Sequence, residues 1–428
     1  MRDLGIMFVL PLLLYAAIRK PFIGLGLWLW TSAFNINQIV YGFAMNIPFN
    51  KLFAGVTIVS FLFSKEKSAF KLEGLSLLVI LFFIIATISN LVGIGNEVVA
   101  WARWTLFAKI ILFYFFAVCI MQKKIHFELL IWMLVISIGA LSATEGVKFL
   151  VSGGAHRIGE LRGISGDNNF FGVMIVTVIP LACYIFTQVE HKTLRLGVLG
   201  VIFFMILGIF STFSRGAFLG LSVFAFSFWK SSNNKFLWFI LLVIIALGIV
   251  NLMPDTWLNR MDSVENADED SSFMGRVIAW KIAILIAMDN FFGGGFRAVE
   301  NMNVWYQYSL EFSKVDFITS PDAPPYFKAT HSAYFQVLSN HGFIGLFIYL
   351  LMLLTAYIKL IIIELRAIKN QLESWIIMLS KMLKLALVSF SFSSAAVNLA
   401  YFDFLYAIFA MVVALSTIVA QQIKLKSL

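Results

Sequence analysis

The sequence predicts an all-α fold, a polytopic bundle of about 12–13 transmembrane helices. Hydrophobic residues make up 61% of the 428-residue chain and charged residues 13%, and the mean hydropathy is +0.90. Soluble domains contain roughly 45–50% apolar and about 25% charged residues. Apolar runs near the length of about 20 residues that a spanning helix needs recur along the chain, as in the run that begins at Leu72. The composition therefore excludes an ordinary soluble protein.

Apolar runs separated by polar breaks mark the individual spans. The first run follows Arg2 and resembles a signal peptide, but no clear cleavage site precedes the second run, so we expect the first to remain as a helix. We predict spans at residues 4–18, 21–35, 50–64, 74–94, 103–121, 127–149, 168–187, 196–212, 216–229, 236–252, 343–363, 375–396 and 404–422.

The basic residues predict the orientation, because cytoplasmic connections of membrane proteins are enriched in Lys and Arg. One set of alternating connections holds more than half of the 32 Lys and Arg residues, so we expect it to be cytoplasmic. The set comprises Arg19, Lys20, Lys65, Lys67, Lys71, Lys123, Lys124, Lys192, Arg195, Lys230, Lys235, Lys359, Arg366, Lys369, Lys381, Lys384, Lys424 and Lys426. The C-terminus is then cytoplasmic, and residues 253–342 lie on the other face of the membrane.

This arrangement divides the chain into a transmembrane bundle (1–252), a long polar connection with surface helices (253–342) and C-terminal transmembrane helices (343–428). Long connections in compact folds are usually functional or disordered. The acidic run 262–270 is typical of a solvated segment before a helix, and we assign it no chemistry. Residues 275–288 are apolar but too short to span, which predicts a helix on the membrane surface or packed against the bundle. Gly293, Gly294 and Gly295 should end that helix.

Charge and cysteine content exclude several classes of function. The formal net charge is +9, but the basic residues are scattered singly between apolar runs, so we expect no nucleic-acid partner. Cys119 and Cys183 lie inside predicted spans, which argues against a disulfide framework or a thiolate metal site. The polar connections hold no carboxylate pair or histidine cluster that would predict a metal. We therefore expect neither a metal nor a cofactor.

Arg215 is the first candidate site residue. It lies between two apolar runs, and the carboxylates nearest in sequence, Glu190 and Asp255, are far along the chain. An ionisable group near hydrocarbon costs roughly 2.5–3.5 kcal/mol on insertion scales, so it usually has a partner or a function. Its side chain could simply extend to the lipid headgroups. The alternative is a clamp for a phosphorylated lipid, because the guanidinium fork matches phosphate oxygens.

Further arginines fall on the same predicted face of the membrane. Arg157 and Arg162 lie in AHRIGELRGISGDNN, Arg276 lies near the start of the surface helix, and Arg297 follows the three glycines. A helix N-terminus such as the one near Arg276 also favours an anion. Together these residues predict a cationic surface on the face where the charge rule predicts few cations, which favours an anionic ligand.

His331 is the candidate base. It opens THSAYFQVLSNHGFIGL, which predicts a short helix that begins at His331 and Ser332 and stops around Gly342, directly before a span. A helix N-terminus disfavours the imidazolium, which would keep His331 neutral and able to accept a proton near pH 7. A helix cap or surface role is the competing interpretation of His331. His341, just before Gly342, is better explained by a structural role.

Three motifs occur in a fixed order: SRGAF after a span, then GRVIAWKIAILIAMDNFFGGGF, then HSAYFQVLSNHGFIGL. Over roughly residues 195–360, this ordered trio resembles the signature of the O-antigen ligase and polymerase superfamily (Wzy/WaaL type). The N-terminal part, through the Asn-rich NINQIVYGFAMNIPFN, resembles O-glycosylation ligases associated with exosortase systems. Two positions depart from the usual pattern: Ser332 stands where Asn is common, and Phe291-Phe292 stand where a proline is common. The first departure affects hydrogen bonding to the acceptor, and the second alters the turn.

The resemblance implies an enzyme of lipopolysaccharide or polysaccharide biosynthesis in the bacterial inner membrane, with its active face in the periplasm. It would move a glycan from undecaprenyl diphosphate to a hydroxyl of lipid A core or of a protein, without a cofactor. Arg215 and Arg276 match the family's diphosphate-binding arginines, and His331 matches its essential histidine. The residues agree with this chemistry, because cations stabilise the departing diphosphate and a base takes the hydroxyl proton.

Two other functions stay open on the sequence. A polymerase would use the same donor with a second lipid-linked glycan as acceptor, and no feature of the sequence separates it from a ligase. A transporter of the lipid-linked glycan is disfavoured, because ion-driven transporters usually carry ionisable residues near the bilayer midplane. Here the charges cluster at the ends of the predicted spans.

Overall fold

The computed structural model describes residues 2–38, 40, 42–65, 70, 72–159, 167–232, 234–236, 240 and 271–427. Within these ranges the regular structure is α-helix with short 3-10 turns and contains no strand. The helices pack into one bundle, and eight of them are long and apolar enough to cross a membrane. The protein is therefore an all-α, multi-pass membrane protein, which confirms the predicted fold class.

The described α-helices begin and end as follows, in chain order. They are α1 Arg2–Arg19, α2 Pro21–Ala33, α3 Phe49–Phe63, α4 Gly74–Leu91, α5 Glu97–Ile120, α6 Lys124–Val151, α7 Asn168–Gln188, α8 Lys192–Ser211, α9 Arg215–Ser231, α10 Ser271–Asp289, α11 Met302–Ser309, α12 Ala333–Lys369, α13 Ser374–Ser393 and α14 Asp403–Lys426. The eight candidate spans are α4 to α8 and α12 to α14.

Twelve helices occupy the positions of predicted spans, although some are short. α2, α3 and α9 contain 13, 15 and 17 residues, which is below the length of about 20 that crosses a bilayer without tilt or thinning. The predicted span 236–252 and the acidic run 262–270 lie outside the described residues, apart from residues 236 and 240.

Several lysines that the orientation argument placed in connections lie inside helices, and Lys359, Lys381 and Lys384 among them form ion pairs with carboxylates of other segments. Lys359 is in α12 and pairs with Glu73 at 2.6 Å, next to the start of α4. Lys384 and Lys381 are in α13 and pair with Glu364 of α12. α12 runs from Ala333 to Lys369 and so extends beyond the predicted span 343–363, whereas α13 begins within one residue of the predicted span 375–396 and ends three residues earlier. Carboxylates of neighbouring segments pair with lysines inside such helices.

Close helix packing in the bundle depends on small residues. A Cβ atom added to Gly146 of α6 would lie 2.3 Å from the Phe204 carbonyl oxygen of α8. A Cβ atom added to Gly208 of α8 would lie 2.6 Å from the Ser142 carbonyl oxygen of α6. Small residues at such crossings let helix backbones approach in membranes, where no hydrophobic effect drives helices together.

Helix α10 packs against the bundle, which was one of the two arrangements that its length predicted. Its apolar residues, among them Ile278, Ile282 and Ile286, are buried in a cluster with Trp305 and Tyr308 of α11. The helix also packs on α12. Helix α10 is therefore held in place against the bundle, next to the segment that leads to His331.

The glycine turn after α10 and the break in α12 contact each other through their backbones. Gly342 has φ 66° and ψ −171°, which interrupts α12, and Gly293 has φ 74°. A Cβ atom on Gly293 would lie 2.4 Å from the Gly342 nitrogen. The Gly294 nitrogen donates to the Ser339 carbonyl at 2.8 Å, and the Gly295 nitrogen donates to the Asn340 carbonyl at 3.0 Å. These contacts fix the first ten residues of α12 relative to α10.

Candidate functional site

A cavity of about 880 Å³ opens at the end of the bundle that carries the glycine turn. Its lining comes from α2, α3, α5, the connection between α2 and α3 and the start of α7, and from residues 296–300, 329–340 and 397–403. His331 and Arg297 line this cavity, so the structure brings two of the sequence-predicted site residues to one space.

His331 is held in a strained backbone conformation just before α12. Its φ is 43°, a left-handed value that non-glycine residues rarely adopt. The Asn398 side-chain oxygen accepts from the Ser332 nitrogen at 2.9 Å and from the Thr330 hydroxyl at 2.7 Å. Asn398 thus fixes the residues on both sides of His331. Sequence reasoning missed Asn398, because it lies far along the chain from His331.

Helix α10 supports the same segment from another side. The Trp280 indole nitrogen donates to the Thr330 carbonyl at 2.7 Å. The Trp280 ring stacks on Phe335 of α12, with ring centroids 4.8 Å apart. Arg276 lies one helical turn before Trp280, on the same face of α10. The face of α10 that positions His331 therefore also carries Arg276.

Burial lowers the pKa of the His331 imidazole below its ordinary value of 6.5, and the positive charge of Arg276 lowers this pKa further. Asp167 and Glu300 act in the opposite direction, and Lys328 adds a smaller lowering effect. The sequence predicted a lowered pKa from the helix N-terminus, whereas burial and Arg276 are the causes in the structure. The outcome for chemistry is the same, because a neutral imidazole accepts a proton.

Arg297 lines the cavity but is engaged in an ion pair. It has a left-handed φ of 62°, and its Nε donates to a Glu300 carboxylate oxygen at 2.7 Å. A second guanidinium nitrogen donates to the same oxygen. The Arg297 backbone nitrogen donates to the Asn340 side-chain oxygen at 3.2 Å. Part of its charge is therefore neutralised before any ligand binds.

Arg215 is the first residue of α9 and is half-buried. The Ser214 hydroxyl caps the helix by accepting from the Ala217 nitrogen at 3.3 Å. A Cβ atom on Gly216 would lie 2.8 Å from the Ala396 Cβ, so the start of α9 packs directly before the cavity-lining residues 397–403. Arg215 is near this end of the bundle, but it is not among the residues that line the cavity.

Arg157 and Arg276 are not among the residues that line the cavity either. The Arg157 guanidinium carbon lies 5.8 Å from the centre of the Phe213 ring, two residues before Arg215. Phe213 has a left-handed φ of 51°, so it is strained in the same way as His331 and Arg297. Arg162 lies outside the described residues.

His341 is buried among aromatic rings next to residues that line the cavity. Its Nε2 is 2.7 Å from the Tyr401 hydroxyl, and its ring packs edge-on against Phe82 and Phe296. The Asn340 amide also donates to the Tyr401 hydroxyl, at 2.9 Å. This network joins α12 to residues 397–403 and agrees with the structural role expected for His341.

Three cations that sequence reasoning did not select also line the cavity: Lys51 of α3, and Arg103 and Lys109 of α5. The last two lie inside a helix that is apolar enough to span a membrane. Charged residues in such helices usually face a partner or a water-filled cavity, and this signal could have identified Arg103 and Lys109 from the sequence. Among the described residues, no group of three or more His, Cys, Asp or Glu side chains could hold a metal ion.

Comparison with known families divides the chain into two matched segments. Residues 200–350 match the O-antigen ligase family (Wzy_C), which supports the superfamily expected from the three motifs. Residues 1–192 match a family of unknown function (DUF5935). A search of curated proteins finds no match. The first match covers α9 to α11, Arg215, Arg276 and His331, whereas Lys51, Arg103 and Lys109 fall in the second.

Proposed function

We propose that this membrane protein is an inverting glycosyltransferase of the ligase type. The donor is a preassembled glycan on undecaprenyl diphosphate, and the acceptor is a hydroxyl of lipid A core or of a protein. The reaction takes place at the periplasmic face of the bacterial inner membrane. The O-antigen ligase match over residues 200–350 supports the ligase or polymerase class.

One observation carries the proposal: His331 lines a large cavity, and burial and Arg276 favour its neutral form. A lipid-linked glycan already carries a good leaving group. Its transfer therefore needs a base for the acceptor and cations for the leaving diphosphate, and it needs no redox step. His331 would supply the base, and Arg276 on the neighbouring helix α10 would supply a cation.

In the proposed mechanism, His331 removes the proton of the acceptor hydroxyl while the hydroxyl oxygen attacks the anomeric carbon. The bond between that carbon and the diphosphate oxygen breaks from the opposite side, which inverts the anomeric configuration. The bonding electrons leave with undecaprenyl diphosphate, and Arg276 and Arg215 stabilise the negative charge on it. The proton on His331 is then released to water.

The test is transfer from a purified undecaprenyl diphosphate glycan to lipid A core by the His331→Gln variant. Glutamine keeps hydrogen bonding but has no basic nitrogen, so we expect the rate to fall by about 10²–10⁴. The His191→Gln variant is the control, because His191 is an exposed histidine outside the cavity. If the His331→Gln variant keeps most of the wild-type rate, His331 is not the base.

The clamp is tested by Arg215→Ala and Arg276→Ala. We expect both to abolish transfer at normal protein level, and lysine to restore little, because lysine cannot form the paired contacts of a guanidinium with phosphate. Arg195→Ala is the control, since Arg195 packs over the Phe186 ring away from the cavity. Near-normal transfer by both alanine variants would assign these arginines to headgroup contacts instead.

A further inference from the structure

The part of the cavity contributed by the N-terminal segment is strongly cationic. We define the N-terminal wall as the cavity-lining residues within 28–51 and 103–110, which lie on α2, α3, α5 and the connection between α2 and α3. This wall contains Lys51, Arg103 and Lys109 and no Asp or Glu. In the part of the chain that the structure describes, these three side chains form no ion pair with another residue.

The acidic residues of the cavity belong to other segments of the chain, and each accepts a hydrogen bond or forms an ion pair. Glu300 pairs with Arg297, and the Ser32 hydroxyl donates to Asp403. Asp167 caps α7 by accepting from the Phe170 nitrogen at 2.8 Å. Within the described ranges only Glu300 is in an ion pair, and that pair is with Arg297, so three cations of the N-terminal wall share the cavity with two carboxylates, Asp167 and Asp403, to which none of the three is paired.

Two of these cations lie at depth along a membrane helix. α5 begins beside the glycine turn, where the Ile94 nitrogen donates to the Gly294 carbonyl at 3.0 Å. Arg103 and Lys109 lie six and twelve residues after Glu97, which corresponds to roughly 9 and 18 Å along the helix axis. Leu106, between them, is also in the lining. A ligand that meets both cations therefore extends along α5 towards the apolar layer, as a lipid with a polar headgroup and buried acyl chains can.

We propose that the N-terminal wall is a binding subsite for a phosphate group of a lipid-anchored acceptor. This inference rests on the proposed glycosyl transfer and narrows its acceptor from lipid or protein to a phosphorylated glycolipid. Guanidinium and ammonium groups without carboxylate partners bind phosphate, and an apolar flank accommodates the adjacent acyl chain.

The arrangement of the cavity assigns this subsite to the acceptor and not to the donor. The base must lie between the two substrates, because it takes the acceptor's proton during attack on the donor. The donor diphosphate is assigned to Arg276 and Arg215, which belong to α10 and α9. The N-terminal wall is built from different helices that meet the same cavity, so it is available to the second substrate.

The experiment compares lipid A core with the same acceptor after enzymatic removal of its phosphates. For the wild type we expect the KM of the stripped acceptor to be at least about tenfold higher, which corresponds to roughly 1.4 kcal/mol. In the Arg103→Gln/Lys109→Gln double variant the ratio of the two KM values should fall to about one. The donor KM should change by less than about twofold. Lys230→Gln, an exposed lysine outside the cavity, should keep the wild-type ratio.

Three outcomes would overturn the subsite. They are a rise of the donor KM in the double variant, an unchanged preference for the phosphorylated acceptor, or an acidic peptide that binds as tightly through the same cations. If the double variant does not fold, the single variants Lys51→Gln and Arg103→Gln give the same comparison, because both positions are exposed. Equilibrium binding of the two acceptors, measured without donor, tests the subsite even if no transfer occurs. A failure of the subsite proposal can therefore be distinguished from a failure of the proposed reaction.

Discussion

The strained backbone at His331 is explained by the groups that hold it. Left-handed or otherwise sparse conformations of non-glycine residues cost on the order of 1–3 kcal/mol and persist only where surrounding contacts enforce them. At His331, Asn398 accepts from the Thr330 hydroxyl and the Ser332 nitrogen, and Trp280 donates to the Thr330 carbonyl. Phe213 and Arg297 have similar conformations at the same end of the bundle. We interpret this strain as the result of positioning His331 for its reaction.

Asn398 is accordingly predicted to be a positioning residue. Replacing it with Ala removes the acceptor for the Thr330 hydroxyl and the Ser332 nitrogen, so His331 can relax from its φ of 43°. We expect kcat to fall by about tenfold or more with little change in donor KM. Asn398→Asp retains an accepting oxygen and should restore much of the rate. Equal losses in both variants, or a loss of folded protein alone, would contradict the positioning role.

The pH dependence should follow His331. Its pKa is lowered, so the neutral base persists to lower pH than an ordinary histidine, and the rate is lost as pH falls through the lowered pKa. Removing the charge in Arg276→Gln should raise this pKa and move the acidic limb of the residual rate to higher pH. Lys328→Gln should move it in the same direction by less, because Lys328 is the weaker cause. If the acidic limb of the pH–rate profile stays at the same pH in both variants, it does not report the protonation of His331.

At the level of elements, the contact between the glycine turn and the break in α12 positions the site. Gly342, at φ 66° and ψ −171°, occupies a region that is essentially restricted to glycine. A Cβ atom there would lie 2.3 Å from the Phe291 carbonyl oxygen. The contact involves the backbone of Phe291, so it does not depend on the proline that is usual in this turn.

Gly342→Ala should therefore lower the thermal stability of the protein in detergent and reduce transfer, because strain and clash both oppose the docked arrangement. The matched control is Gly200→Ala in α8, where no atom lies within 4 Å of the added Cβ. Alanine in a helix interior is favoured over glycine by roughly 0.5–1 kcal/mol, so the control should be neutral or slightly more stable. Thermal unfolding followed by intrinsic tryptophan fluorescence measures both. A Gly342→Ala protein as stable as the control would show that this contact is dispensable.

The elements were predictable from the sequence where the signal is local. The apolar runs predicted most helices, and the glycines predicted both the end of α10 and the interruption at Gly342. Long-range contacts were not predictable, because no sequence signal links Asn398 to Ser332 or Gly293 to Gly342. The charges of Arg103 and Lys109 are visible in the sequence, but which helix face meets a cavity depends on the packing of the other helices. The ion pairs of Lys359 with Glu73 and of Lys384 with Glu364 are likewise long-range contacts that no local signal predicts.

For the whole molecule, the membrane orientation remains a prediction from the basic residues. Reporter fusions at Ser232 and Asn370 should report the cytoplasm, and a fusion at the exposed Asp322 should report the periplasm. The ion pairs of Lys359 and Lys384 lie in the half of α12 after its break, on the side of the predicted cytoplasmic end. A cytoplasmic signal at Asp322 would place the cavity on the wrong face for the proposed donor.

The shared cavity has a consequence for how this architecture can diversify. The boundary between the two matched segments falls at residues 192–200, at the start of α8, yet the cavity takes its lining from both sides of that boundary. A chimaera that received residues 200–350 from a relative would acquire that relative's residues at the positions of the proposed base and the proposed diphosphate arginines. It would keep the recipient's Lys51, Arg103 and Lys109. With the donor and acceptor subsites proposed above, recombination near α8 would exchange the donor-binding residues and leave the acceptor-binding residues those of the original protein.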